Sequence, residues 1–183
     1  PKFYFDMQNS QERNAATDVK KEIIRLKDQD VQGLVIDLRN NGGGSLSTVV
    51  DIAGLFIKDG PVVQVKSNGQ DSEILSDKDE AIVWDGPLVI LVNEISASAS
   101  EILAAAMQDY KRAVIIGSKQ TYGKGTVQNV YDLNRWLRQN DMGDMGALKI
   151  TTQKFYRING GSTQLEGVKS DVVVPDRYSY IDI

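Results

Sequence analysis

Two hydrophobic periods alternate along the chain. Lys2 to Asp6 reads as extended. From Ala15 to Leu26, apolar Ala16, Val19, Ile23 and Leu26 recur at helical spacing among charged residues and predict an amphipathic helix. Gly33 to Leu38 is a short, nearly continuous apolar run, as expected of a buried strand. A glycine-rich turn, Asn40 to Gly44, follows it, and Leu46 to Ile57 returns to helical period. Val62 to Lys66 reads as a strand, and the polar stretch Ser67 to Asp85 as a surface hairpin or loop. Pro87 to Val92 is a second buried strand, leading through Ser96 to Ser100 into a helix that runs to about Asp109. Ala113 to Ile116 is a strand ending at Gly117. Thr126 to Leu133 and Leu148 to Phe155 alternate as half-exposed strands do, with a long loop from Asn134 to Gly146 between them. Asn159-Gly160-Gly161 signals a turn, and Val172 to Val174 a last strand before Pro175. There is no internal repeat and no low-complexity tract. The pattern predicts one α/β domain over residues 1–183.

Composition adds exclusions. The length of 183 residues suits a single domain with a full core. A net charge of −4 without a basic block argues against nucleic acid as a partner. Apolar runs such as Leu88 to Val92 are far too short to span a bilayer. Pro1 to Met7 reads as a strand rather than a signal peptide, and a first residue inside a strand suggests a piece of a longer protein. The chain has no cysteine, which removes a thiol nucleophile and a cysteine metal site; no metal or cofactor is expected. It also has no histidine, so acid–base chemistry near neutral pH falls to a perturbed Lys, Asp, Glu or Tyr. A Ser-His-Asp triad is impossible within it.

Three segments could carry chemistry. Ser96-Ala97-Ser98-Ala99-Ser100-Glu101 joins a buried strand to a helix. Ser98 and Glu101 form an S-x-x-E capping box, which by itself explains the pattern. The same turn would also expose the Ser98 hydroxyl beside unpaired helix N–H groups, with that of Ala99 placed to hold an oxyanion. Tyr122-Gly123-Lys124-Gly125-Thr126 is not a phosphate loop, since its glycine spacing is wrong and Gly125 stands where Ser or Thr is needed. Lys124 is either a surface lysine in a turn or a base held between tightly packed glycines, where burial favours the neutral amine. Asp37 to Gly44 offers a second backbone N–H for an oxyanion hole, with Asp37 and Arg39 bracing the loop. Gln128, four residues beyond Lys124, faces the same way if the chain is extended, and either orients the lysine or lies exposed on a strand.

In this order, DLRNNGGGSL, SASASEILAAAMQDY, YGKGTVQ, KFYRINGGSTQ and GVKSDVVVP resemble the tail-specific, or carboxyl-terminal processing, serine peptidases in their long bacterial form. The resemblance covers nearly the whole chain. It implies an α/β fold, a Clp protease–crotonase-like core of mixed β-sheet with flanking helices, and a serine–lysine dyad. It also implies a PDZ domain in the full-length chain, protein or peptide substrates with free C-termini, and a periplasmic or cell-envelope location. Carried over by motif, Ser98 is the nucleophile, Lys124 the base and Gln128 its supporting residue. The oxyanion hole then corresponds to the N–H groups of Ala99 and a glycine of the GGG run, Gly43. Asp109 matches an aspartate considered catalytic in the family, but eleven residues of helix place it about 16 Å from Ser98, which points to a structural role. A scaffold that only binds a ligand or a partner chain is the competing reading; it would need neither Ser98 nor Lys124.

Overall fold

The computed structural model describes residues 2–4, 14–135 and 143–175. The expected extension from Lys2 to Asp6 is described only to Tyr4, where Phe3 bridges Gly44. Residues 136–142 of the expected long loop lie outside the described residues.

The first helix, α1 (Ala15–Lys27), starts at a capping box in which Asn14 Oδ1 accepts from Thr17 N–H. Strand β1 (Leu34–Asp37) follows, then α2 (Leu46–Gly54), capped by the Ser45 hydroxyl. Strands β2 (Gly60–Ser67) and β3 (Ser72–Asp77) form the surface hairpin. Next come β4 (Leu88–Val92), α3 (Ala99–Asp109) and β5 (Val114–Gly117). Strands β6 (Thr126–Asp132), β7 (Ala147–Tyr156) and the short β8 (Val172–Val173) complete the chain.

The strands form two sheets. One is parallel, in the order β1-β4-β5-β8; the other is antiparallel, in the order β3-β2-β7-β6. Helix α3 touches β5 of the first and β2 of the second, and it packs on α2. That position explains its composition. Every residue from Ala99 to Met107 is buried, and small Ala104, Ala105 and Ala106 let two sheets and a helix approach it on all sides.

One expectation needs correcting. The apolar run from Gly33 to Leu38 forms a strand, but an edge one, and Val35 is 63% exposed. The central parallel strand is β4, whose Leu88, Ile90 and Val92 point into the core. Parallel strands end in turns at one edge of the sheet. Here the turns after β1 and β4 meet, and that meeting creates the site.

Candidate active site

The turn after β4 places three serines in three different environments. Ser96 is buried; its hydroxyl donates to Leu38 O at 2.8 Å and ties the turn to the end of β1. Ser100 is buried too, donating to Asn41 O at 2.9 Å. Only the middle serine, Ser98, reaches a cavity, of about 190 Å³. Its backbone lies at φ 59°, ψ −116°. A non-glycine residue at positive φ is strained, and here the strain sits at a sharp strand-to-helix turn.

The glycine run fits against this turn. A Cβ on Gly43 (φ +97°) would lie 2.7 Å from Ala97 O, 2.8 Å from Ser98 Cβ and 2.9 Å from Ala99 N. Only glycine permits that approach. The Gly43 N–H itself donates to Asn41 Oδ1 at 3.0 Å, and Gly42 and Gly44 rather than Gly43 line the cavity. Ala99 also lines it, and as first residue of α3 its N–H has no intrahelical partner.

Lys124 enters from the loop between β5 and β6. Its neighbours must be glycines: a Cβ on Gly123 would press on the Leu165 backbone at 3.0 Å, and one on Gly125 would meet Gln164 Cβ at 2.8 Å. Thr163 Oγ1 donates to Lys124 O, and Gln164 Oε1 accepts from Gly125 N–H. The loop is thus clamped, and Lys124 is half-buried within it. Burial first, and the nearby charge of Lys149 second, push its ammonium below the ordinary 10.5, while Glu101 pulls the other way. Its Nζ donates to Gln128 Oε1 at 3.3 Å. Lys124 and Ser98 share the cavity but are not hydrogen-bonded to each other, a looseness common in unliganded sites. Gln128 reaches the lysine for a different reason than strand alternation. Lys124 precedes β6, and the β6–β7 register shifts between Val127 and Gln128.

The residue that joins the Ser98 turn and the lysine loop is Glu101, fully buried. Oε2 accepts from Ser98 N–H at 2.8 Å and Lys124 N–H at 3.0 Å. Oε1 accepts from Gly123 N–H and from Thr121 Oγ1, both at 2.7 Å. Burial pushes this carboxyl above its usual range despite the four hydrogen bonds that lower it. The S-x-x-E pattern marks Glu101 as a cap; its second partner, a loop more than twenty residues on, leaves no local signal. Lys149 of β7, also in the cavity lining, has no signal in the sequence at all.

Asp109 lies at the other end of α3, where Arg157 clamps it at 2.6 and 3.0 Å. Asp37 and Arg39 pair with each other at 2.6 Å, and neither lines the cavity.

An α/β domain with a strained serine at a helix N-terminus and a half-buried lysine in one cavity has the layout of a serine hydrolase without histidine. Comparison with known sequences makes the class specific: residues 4–174 match peptidase family S41, and the chain belongs to that family. It is 50% identical over 159 residues to a tail-specific protease of Haemophilus influenzae, covering 87% of this chain and 23% of that protein. It is 37% identical over 158 residues to a carboxy-terminal-processing protease of Bartonella bacilliformis, covering 84% and 34% of the two. The chain therefore spans about a quarter to a third of these relatives. Among solved structures, a photosystem II D1 C-terminal processing protease superposes with a TM-score of 0.75 at 31% identity, covering 94% of this chain and 40% of that one. Mature CPAF, at 13% identity and a TM-score of 0.72 over 96% of this chain and 45% of its own, shares the fold. The architecture is the Clp protease-like one, with parallel and antiparallel sheets and flanking helices.

Proposed function

We propose that this domain is the catalytic core of a serine endopeptidase with a Ser98–Lys124 dyad. The observation that carries the reading is the shared cavity: a serine strained outward opposite a lysine whose ammonium is disfavoured. Neutral Lys124 takes the Ser98 proton as Oγ bonds to the substrate carbonyl carbon. The resulting oxyanion is held by the Ala99 N–H and one N–H of the glycine run. Gly43 serves there once it releases Asn41 Oδ1; Gly44 makes no hydrogen bond that it would have to give up. The lysine ammonium then protonates the leaving amine, the peptide C–N bond breaks, and an acyl-Ser98 ester remains. Lys124, neutral again, deprotonates the water that attacks the acyl carbon, and its ammonium returns that proton to Ser98 Oγ as the ester C–O bond breaks. Gln128 Oε1 holds Nζ without forming an ion pair, which would lock the lysine in its charged state.

The relatives named for tail-specific and carboxy-terminal processing support proteins as substrates, acted on at their C-termini. That the complete protein grips those ends through a PDZ domain is part of the proposal and rests on the motif resemblance alone. A periplasmic or cell-envelope setting belongs to the same proposal and rests on the motif resemblance. Without a tether the domain alone is expected to cleave weakly, because effective substrate concentration falls. The test is labelling with a serine-reactive fluorophosphonate and location of the adduct by mass spectrometry. An adduct on Ser98, absent in Ser98→Ala, supports the reading; a folded domain that labels elsewhere or not at all overturns it. Ser100 offers no escape, since its hydroxyl is buried.

A further inference from the structure

On the reading that Ser98 and Lys124 form a peptidase site, we propose that Lys149 is a specificity-determining residue that binds a carboxylate of the substrate. Lys149 stands on β7 opposite Val130 of β6, and its side chain lines the cavity of Ser98 and Lys124. The charged residues lining that cavity are these two lysines; no carboxylate lines it among the described residues. Lys124 is not available to a substrate anion: its Nζ donates to Gln128, and it must shed its proton to act as base. Lys149 is exposed and has no ion-pair partner among the described residues. Its charge lies close enough to Lys124 to disfavour that ammonium, in keeping with its place in the same lining.

Beside the lysines, Ser98, Gln128 and the small residues of the two turns, the lining has an apolar part contributed by Leu46, Ile102, Val127 and Phe155. A peptide that fits this surface offers an apolar side chain to the wall and an anion to Lys149. The anion has two sources in a polypeptide: an Asp or Glu side chain, or the α-carboxylate of a chain end close to the scissile bond. Both present the same carboxylate, and at an exposed lysine either is a modest, salt-sensitive contact.

The experiment uses the complete protein and two pairs of matched peptides. One pair differs by Glu against Gln near the cleaved bond, the other by a free C-terminus against a C-terminal amide. For each pair the ratio of kcat/KM is compared between the parent, Lys149→Gln and Lys149→Glu. Any separate module that reads the C-terminus contributes equally to all three proteins and cancels from the comparison. We expect Lys149→Gln to cut the carboxylate preference by about three- to five-fold in at least one pair, and Lys149→Glu to invert it. The pair that responds identifies the source. Ratios unchanged in both pairs overturn the proposal. An equal loss for all four peptides also overturns it, because Lys149 would then act only through Lys124. Kd ratios for the same peptides on Ser98→Ala keep the two ideas apart. If the parent cleaves nothing while the Kd ratios still follow residue 149, the peptidase reading fails and the carboxylate site stands.

Discussion

Replacing Glu101 by glutamine keeps the size of the side chain and removes half of its accepting capacity. Its carboxylate meets four donors: the N–H groups of Ser98, Gly123 and Lys124, and the Thr121 hydroxyl. An amide has one oxygen. Turned toward Ser98 and Lys124, its NH2 faces two N–H groups. Turned toward Thr121 and Gly123, it can donate to the Thr121 oxygen, which already accepts from Val168 N–H, but leaves Gly123 N–H orphaned. The second orientation wins, and one or two buried donors lose their partner. Each costs about 1–3 kcal/mol, so urea unfolding should show a loss of that order. The site suffers more than the fold, because the same atoms set the Ser98 turn and the Lys124 loop relative to each other. Fluorophosphonate labelling of Ser98, at a temperature where the variant is fully folded, should slow by about ten- to a hundred-fold. Parent-like stability together with a parent-like labelling rate would refute the coupling of turn and loop through Glu101.

Gly43→Ala drives a Cβ to within 2.9 Å of Ala97 O, Ser98 Cβ and Ala99 N at φ +97°, so we expect Ser98 labelling to be lost and the melting temperature to fall. Asp109→Asn weakens the largely buried pair with Arg157 and should cost about 3 kcal/mol in denaturant unfolding. The labelling rate of the folded Asp109→Asn fraction should match the parent, and a slower rate would give Asp109 a part in the chemistry. Burial and Lys149 both lower the Lys124 pKa, so kcat/KM should rise with pH through that depressed value and level off above it, in the range where the amine is neutral. Lys149→Met removes the like charge and should move this rising limb to higher pH.

Much of this layout is written locally in the chain. The capping box at the start of α3, the small residues of SASAS and the glycines around Lys124 each answer to a neighbour within a few residues or to a backbone that must pack closely. Such demands leave a mark on composition, which is why Ser98, Ala99 and Lys124 can be singled out and do come together in one cavity. Long-range partners leave no such mark. Periodicity marks β1 as a strand but not as an edge, because a parallel strand's neighbours are set by the crossover topology. The Asn41 amide captures the Gly43 N–H through a turn conformation that the run of glycines does not specify. Glu101 reads as a helix cap because its backbone partner three residues away is local, whereas the Lys124 loop arrives from beyond β5. Lys149 enters the cavity only through the register of β7 on β6, including its shift at Val127 and Gln128.

The dyad is tested most directly by peptide hydrolysis in the complete protein with Lys124 replaced by arginine. Guanidinium keeps the charge and much of the length of lysine but stays protonated, so it cannot take the Ser98 proton. No histidine is present in this chain to act instead. We expect kcat/KM for Lys124→Arg to fall to the level of Ser98→Ala at every pH from 6 to about 10, the upper end approaching the ordinary lysine pKa. A Lys124→Arg enzyme that cleaves at the parent rate would contradict the assignment of Lys124 as the base.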